Sequence, residues 1–286
     1  MNNQELQSDQ ELLKAINESG FPLQLGLLQL VRKHQTTWTA ILTEHHWIDP
    51  LKGDEKFIDL VLRQGSDDYP VRLVIECKRS RDTEWIFLRE PSLSPRRARP
   101  SSVRSRVVIK PEESNHEEFW DVPFTPGYPA ASYCVIRKNR QRTQELLERT
   151  AAELVRATDA LAKQEALIFA RSGPSLPSQW PGLRRVYVPV IVTTASLFVC
   201  DAPYDTLDLT TGEVGDVTVC KESVVHFTKS LVSFEQEKAS ATRIEQFSQQ
   251  SERSVLIVRA SDFLGFLAQF KFSNDRADLL SRLLPR

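Results

Sequence analysis

Two adjacent strand-like runs constrain the fold of this chain more than any other feature. Residues 57–63 read FIDLVLR and residues 71–78 read VRLVIECK, and both runs are rich in β-branched and large apolar side chains. The stretch between them, QGSDDYP, consists of turn-forming residues. We therefore predict a β-hairpin whose two apolar strands are interrupted by the carboxylates of Asp59 and Glu76.

The centre of the turn determines which residues of the hairpin face each other. If the turn is centred between Asp67 and Asp68, opposed positions sum to 135, and Asp59 and Glu76 satisfy that sum. Their side chains would then start about 5 Å apart. Lys78 lies two residues after Glu76, so the two share one face of the strand.

Two opposed carboxylates repel each other, and the repulsion is relieved when one of them is protonated or when a cation lies between them. Mg²⁺ suits oxygen ligands of this kind, retains water and binds phosphate. It lowers the pKa of a bound water and stabilises a phosphoryl oxygen, while an ammonium such as Lys78 stabilises negative charge in the transition state. This combination of groups is suited to the hydrolysis of a phosphodiester.

A structural interpretation of the same residues stays open. An E-x-K pair on a strand is commonly a solvated ladder of opposite charges, because surface strands alternate polar and apolar residues. The position of Asp59 favours the functional interpretation, since an unpaired carboxylate within an apolar run is costly.

The order of elements and four short motifs resemble a known family. We predict a helix at about 22–34, a strand at 44–48, the hairpin, a long helix at about 139–170 and two strands within 185–201. The motifs are His46-Trp47-Ile48-Asp49-Pro50, Phe57-Ile58-Asp59, Ile75-Glu76-Cys77-Lys78 and Trp85-Ile86-Phe87. Over about residues 20–200 the chain resembles the PD-(D/E)XK nuclease superfamily, in a bacterial branch.

The resemblance implies an α/β fold with a restriction-endonuclease-like αβββαβ core, in which helices flank a mixed central sheet. One domain would span residues 1–286, with its core at about 20–201 and a C-terminal extension at about 202–286. It also implies that Asp59, Glu76 and the main-chain carbonyl of Cys77 bind Mg²⁺ or Mn²⁺ and that Lys78 assists catalysis.

By the same resemblance the chain is a nuclease, with DNA favoured over RNA as substrate, acting in phage (antiviral) defence or in repair. One residue departs from the family pattern, because many members carry a metal-binding Glu on the first helix where this chain has Gln24. Gln24 could still coordinate or orient a water, but it adds no charge. The alternative is a catalytically degenerate domain that binds nucleic acid or a protein.

Local basic patches are the candidate contacts to nucleic acid. Residues 91–110 are rich in Pro, Ser and Arg and contain no acid, which predicts an exposed, mobile loop. A second basic run is predicted to open the long helix, where a bound anion would offset the unfavourable helix dipole. For every patch, solvated charge is the alternative. The candidate contacts are Arg79, Arg81, Arg96, Arg97, Arg99, Lys138 and Arg140.

Composition limits the remaining possibilities. With 37 Lys and Arg against 38 Asp and Glu, the chain is not a general polycation, so nucleic-acid binding depends on the local patches. Four scattered Cys without a CxxC pair argue against a disulfide framework or a zinc ribbon. Without a signal-like N-terminus or a long apolar run, we expect a cytoplasmic protein with no membrane contact. The lack of a recognisable ATPase motif suggests a partner protein that supplies recognition or ATPase function.

Overall fold

A computed structural model describes the chain at residues 3–34, 36–64, 71–89, 102–108, 117–138, 141–143, 146–171, 185–201, 206–231, 244 and 251–272. The helices are α1 (Asn3–Glu18), α2 (Phe21–Lys33), α3 (Leu146–Arg171) and α4 (Phe263–Gln269), the last preceded by a 3₁₀ turn at Ala260–Asp262. The strands are β1 (Thr39–Ile48), β2 (Glu55–Gln64), β3 (Val71–Lys78), β4 (Thr83–Arg89), β5 (Ser102–Val108), β6 (Glu117–Thr125), β7 (Ala130–Ala131), β8 (Tyr133–Lys138), β9 (Gln141–Thr143), β10 (Arg185–Thr193), β11 (Ser196–Asp201), β12 (Leu207–Asp208), β13 (Glu213–Val214), β14 (Thr218–Glu222), β15 (Val224–Ser230), β16 (Glu252–Arg259) and β17 (Lys271–Phe272).

The main sheet is mixed, and its strands lie in the order β1-β2-β3-β10-β16-β15-β7. β1, β2 and β3 are antiparallel, whereas β3, β10 and β16 run parallel. Their apolar residues are buried on both faces, as expected for central parallel strands that are covered on both sides. The predicted mixed α/β class and the predicted hairpin are therefore confirmed.

Each face of the main sheet packs against a different layer. On one face, apolar residues of the sheet such as Val61 and Ile191 pack with Leu154 of α3 and with Trp85 of β4. On the other face, residues such as Leu60 and Leu73 pack with α2 and α4. The stripe of α2 that enters this second core is Gln24, Leu27 and Val31, at the spacing of one helical face.

A second sheet, ordered β14-β11-β4-β8-β9, is joined to the main sheet by two short connections. Residues 79–82 lead from β3 to β4, and residues 194–195 lead from β10 to β11. β3 pairs with β10 in parallel, and so does β4 with β11, so the two connections run side by side. The predicted strands within 185–201 are confirmed and belong to different sheets.

Two sequence predictions are wrong. The described part of the predicted mobile loop, 102–108, is the strand β5, because its backbone pairs with β6 and with the start of β10, and this pairing outweighs the Arg-rich composition. The basic run Arg137–Arg142 does not open the long helix, which begins at Leu146. Gln141–Thr143 instead pairs with the end of β8 as β9.

The chain beyond residue 201 contributes to the main sheet. The predicted strand at 254–259 is confirmed as β16, which pairs with both β10 and β15. The predicted hairpin at Thr211-Gly212 is also confirmed, since β12 and β13 are joined by a turn in which Gly212 has a φ of 72°. In the part of the chain that the structure describes, no helix is both long enough and apolar enough to cross a membrane.

A buried ion pair fastens the β1–β2 turn to α3. Asp49 is fully buried, and its carboxylate lies 2.9 Å from Nη2 and 3.1 Å from Nε of Arg156. The backbone N–H of Leu51 also donates to this carboxylate. Burial alone would raise the pKa of Asp49, but the hydrogen bonds and positive charge of Arg156 outweigh burial and lower the pKa.

We expect Arg156→Met to reduce the free energy of unfolding by about 3–5 kcal/mol, because it leaves a buried carboxylate without its main counter-charge. Arg149→Met on the same helix is the matched control, since Arg149 is exposed and pairs with Glu153 only at the surface. The control should change stability by less than about 0.5 kcal/mol. Urea unfolding at pH 7 measures both values, and equal effects would contradict this view of the pair.

A buried histidine on β15 of the main sheet packs against an aromatic side chain. His226 on β15 is 2 % exposed, and neither ring nitrogen has a hydrogen-bond partner among the described residues. Its ring meets the ring of Phe124 edge-on with centroids 6.2 Å apart. Burial lowers the pKa of His226 from 6.5 to about 4, so the ring is neutral in the folded protein at pH 7.

This burial predicts a pH-dependent loss of stability. As the pH falls from 6.5 to about 4, the unfolded chain takes up a proton at His226 before the folded chain does. The stability contribution of the neutral ring is therefore complete above pH 6.5 and falls by about 3 kcal/mol across this window. In urea unfolding between pH 7 and pH 4, His226→Leu should lose correspondingly less stability than the wild type. Parallel curves for the two proteins would contradict the prediction.

Candidate active site

The register of the β2–β3 hairpin is the one predicted from its turn. Leu60 lies opposite Ile75 and Gln64 opposite Val71, so opposed residues sum to 135 along the whole ladder. The next pair toward the open end of the hairpin is Asp59 and Glu76. The prediction that these two carboxylates come together on neighbouring strands therefore agrees with the register.

Asp59 carries the most perturbed carboxylate of the hairpin. Its Oδ2 accepts a hydrogen bond of 2.6 Å from the backbone N–H of Cys77. Burial, followed by the negative charge of Glu76, raises the pKa of Asp59 to about 7, and Glu44 adds a smaller contribution in the same direction. The Cys77 N–H opposes this rise but does not cancel it. The surroundings of Asp59 therefore favour its protonated form more than water does.

Lys78 provides the positive charge next to these carboxylates. Its Nζ lies 2.6 Å from Oε1 of Glu76. Burial acts to lower the pKa of Lys78, but the attraction of Glu76, its hydrogen bond and the charge of Asp59 outweigh burial and raise the pKa. Glu153 on α3 contributes further in that direction and also binds Nζ of Lys56 at 2.9 Å. Lys78 therefore remains an ammonium at neutral pH.

Gln24 connects α2 to the hairpin through its side-chain amide. Its Nε2 donates to the main-chain carbonyl of Asp59 at 2.8 Å and to Oε1 of Glu44 at 2.6 Å. Gln24 is buried whereas Glu44 is exposed, so the two hydrogen bonds are partly buried and lie at the edge of the core. The predicted site residue Gln24 is thus close to the other members, and its contacts are those of a residue that positions its neighbours.

Glu44 is a member of the site that sequence reasoning missed. Thr43 pairs with Leu60 and His45 with Ile58, so Glu44 lies at the level of Asp59 on the neighbouring strand. Its φ of 49° is in the left-handed region, which is strained for a non-glycine residue inside a strand. Strain of this kind persists only where surrounding contacts impose it, and here the buried amide of Gln24 holds the carboxylate.

The signal for Glu44 was present in the sequence. The turn punctuation at Asp49-Pro50 and Gly53-Asp54 is centred between Leu51 and Lys52, which implies opposed positions that sum to 103. Glu44 and Asp59 satisfy that sum. The same register rule that pairs Asp59 with Glu76 therefore places Glu44 opposite Asp59 when it is applied to the β1–β2 hairpin.

Of the remaining predicted residues, four lie in the described part of the chain and four lie outside it. Cys77 lies between Glu76 and Lys78 on β3, and burial raises the pKa of its thiol well above the ordinary value, which leaves the thiol unreactive. Arg79 and Arg81 follow β3 directly, and Arg81 is exposed. Lys138 is the last residue of β8. The other predicted contacts, Arg96, Arg97, Arg99 and Arg140, lie outside the described residues.

The donor groups of this site suit a hard divalent cation, although they are not gathered around one. Across the described ranges, no group of three or more His, Cys, Asp and Glu side chains lies at metal-ligand spacing. Asp59 and Glu76 each direct an oxygen to a neighbouring donor instead, the Cys77 N–H and the Lys78 ammonium. The carboxylates of Glu44, Asp59 and Glu76 nevertheless outnumber the single ammonium, and carboxylate oxygens are the ligands that Mg²⁺ prefers.

Comparisons with protein-family models, with curated proteins and with solved structures found no match to this chain.

The contacts of Gln24 predict the effect of restoring a carboxylate to α2. Gln24→Glu replaces a buried donor with a charged acceptor that faces the Asp59 carbonyl and the Glu44 carboxylate. We expect a loss of about 2 kcal/mol in the free energy of unfolding without added metal, because the Asp59 carbonyl and the Glu44 carboxylate lose their donor and a second carboxylate is placed beside Glu44. Gln29→Glu is the matched control, since Gln29 is an exposed residue of the same helix. Urea unfolding in EDTA checks the difference, and equal stability of the two variants would contradict the role of Gln24.

Proposed function

We propose that this chain is a metal-dependent nuclease that hydrolyses phosphodiester bonds, and that α2, β1, β2, β3, α3 and β10 form a restriction-endonuclease-like core. The observation that carries the proposal is the environment of Asp59. Burial, followed by the charges of Glu76 and Glu44, raises its pKa to about 7, and the ammonium of Lys78 pairs with Glu76. Clustered ionisable groups of like charge repel each other and lower stability. Such a cluster is therefore typical of a functional site.

Asp59 and Glu76, with the main-chain carbonyl of Cys77, are the groups that would hold Mg²⁺ or Mn²⁺. A bound divalent ion lowers the pKa of its water and stabilises negative charge on a phosphoryl oxygen. The neighbouring carboxylates support this assignment, since a cation would relieve the repulsion that adds to burial in raising the pKa of Asp59.

Lys78 serves the reaction as a fixed positive charge. Its raised pKa keeps it protonated, so it acts as a charge stabiliser and not as a base at neutral pH. Its contact with Glu76 holds the ammonium beside the carboxylates, where negative charge develops on the attacked phosphoryl group.

Gln24 and Glu44 complete the surroundings of the site. Gln24 adds no charge, but its amide fixes Glu44 next to Asp59, so β1 supplies a carboxylate where α2 does not. This arrangement supports activity despite the glutamine on α2.

The wider proposal concerns substrate and context. Arg79 and Arg81 directly follow the strand that carries Glu76 and Lys78, where cationic side chains can neutralise a nucleic-acid backbone. The family resemblance adds nucleic acid as the expected substrate, a role in phage defence or repair, and a partner protein that supplies recognition or ATPase function.

The test is a cleavage panel of single- and double-stranded DNA and RNA with Mg²⁺ or Mn²⁺ and with EDTA. We expect metal-dependent cleavage that falls at least about 100-fold in Asp59→Asn, Glu76→Gln and Lys78→Met, because each removes a ligand or a preorganised charge. Asp54→Asn and Lys52→Met are matched controls, since both residues are exposed in the nearby β1–β2 turn. Unchanged cleavage by both Asp59→Asn and Lys78→Met would refute the proposal.

Calorimetry with Mg²⁺ or Mn²⁺ separates the enzyme from the alternative. Metal binding that Asp59→Asn abolishes and Lys78→Met retains is expected for the nuclease. Absence of both cleavage and metal binding would instead assign the chain to the class of degenerate nuclease-like domains that bind nucleic acid or protein.

A further inference from the structure

A polar cavity of about 560 Å³ opens directly beyond the end of β3. It lies where residues 79–82 and residues 194–195 cross from the main sheet to the second sheet, and we call it the corner cleft. Ser80 N–H donates to Oγ1 of Thr194 at 2.8 Å, and the Thr194 hydroxyl donates back to the Ser80 carbonyl. The Thr194 N–H donates to the carbonyl of Lys78. The wall of the corner cleft is therefore bonded to the strand end that carries Lys78.

Three polar groups that line the corner cleft are available to a ligand. The hydroxyls of Ser80 and Ser196 and the carboxylate of Asp82 have no hydrogen-bond or ion-pair partner within the described chain. The cleft also contains Arg137 and Glu84, but these two side chains pair with each other. The free groups are therefore two neutral hydroxyls and one anion.

This lining favours one part of a nucleotide over the others. A phosphate would meet the free carboxylate of Asp82, while the one arginine that lines the cleft is already paired. A base would find no stacking surface, because none of the side chains known to line the cleft is aromatic. A sugar hydroxyl, which both donates and accepts hydrogen bonds, matches serine hydroxyls and a carboxylate.

The corner cleft is also within reach of the proposed reaction. Ser80 follows Lys78 by two residues, a span of at most about 7 Å. The sugar attached to a phosphate at Lys78 can therefore occupy the cleft.

We propose that the corner cleft binds the ribose of the nucleotide next to the scissile phosphate through its 2′-hydroxyl, and that the substrate is therefore RNA. The 2′-hydroxyl is the group by which a protein distinguishes RNA from DNA at one site. The inference rests on the proposed nuclease function and names RNA as its substrate, in place of the DNA that the sequence resemblance implies. Ser80 and Ser196 act as specificity residues, and Asp82 accepts the hydrogen bond of the sugar hydroxyl.

The test compares full-length wild type with the double variant Ser80→Ala/Ser196→Ala and the single variant Asp82→Asn. The substrates are oligonucleotides of one sequence, made as RNA, as DNA and as DNA with a single ribonucleotide. We expect kcat/KM for RNA to exceed that for DNA at least tenfold, with cleavage of the chimera confined to the ribonucleotide. Each variant should lower the rate on RNA about tenfold and leave the rate on DNA unchanged. Ser261→Ala, which removes an exposed hydroxyl outside the cleft, is the control.

The outcomes separate this inference from the proposed function. Equal cleavage of RNA and DNA, with a ratio that the variants leave unchanged, overturns the corner cleft as a ribose site while the nuclease stands. If neither polymer is cleaved, the nuclease proposal fails, and fluorescence anisotropy with the same oligonucleotides decides on the cleft. A preference for binding RNA that Ser80→Ala/Ser196→Ala abolishes then supports the ribose site, and equal affinities overturn it. The RNA-to-DNA ratio is informative because a general loss of stability would lower both rates together.

Discussion

The parallel pairing of β3 with β10 is the constraint on which the rest of this structure depends. It runs from Val71 opposite Val186 to Lys78 opposite Thr193, so the whole of β3 is bonded to a buried strand. Both strands then turn into the second sheet side by side. Because parallel strands end at the same edge of a sheet, this pairing brings the carboxylates of the hairpin and the polar connections to one place.

The charge balance around Asp59 shows how this edge of the sheet differs from the rest of the core. The buried carboxylate of Asp49, by contrast, is compensated by Arg156 and Lys56. At the candidate site, burial and the neighbouring carboxylates of Glu76 and Glu44 raise the pKa of Asp59. Clustered carboxylates do not stabilise a fold, whereas they suit a site that binds a cation. The left-handed backbone conformation of Glu44 is a second source of strain at the same site.

Much of this arrangement could be predicted from the sequence, because it depends on local patterns. The hairpin, its register and the helix α2 follow from apolar periodicity and turn residues, which act over short stretches of chain. The strand β5 could not be predicted in this way, since its Arg-rich sequence takes its structure from pairing with distant partners. The same holds for Gln141–Thr143, where pairing with β8 replaces the first turn of a helix. Glu44 was predictable in part. Its position opposite Asp59 follows from the hairpin register, but its contact with Gln24 depends on how α2 packs on the sheet.

The two short connections between the sheets have a mechanical consequence. A hinge requires a few residues that can absorb a large change of backbone angle, but residues 79–82 and 194–195 are bonded to each other through Ser80 and Thr194. Opening one connection would strain the other, so the bonded connections oppose hinge motion between the two sheets. A flexible polymer that binds at this corner must therefore bend or unstack to fit the protein. Substrates that distort easily would then bind more tightly than stiff ones.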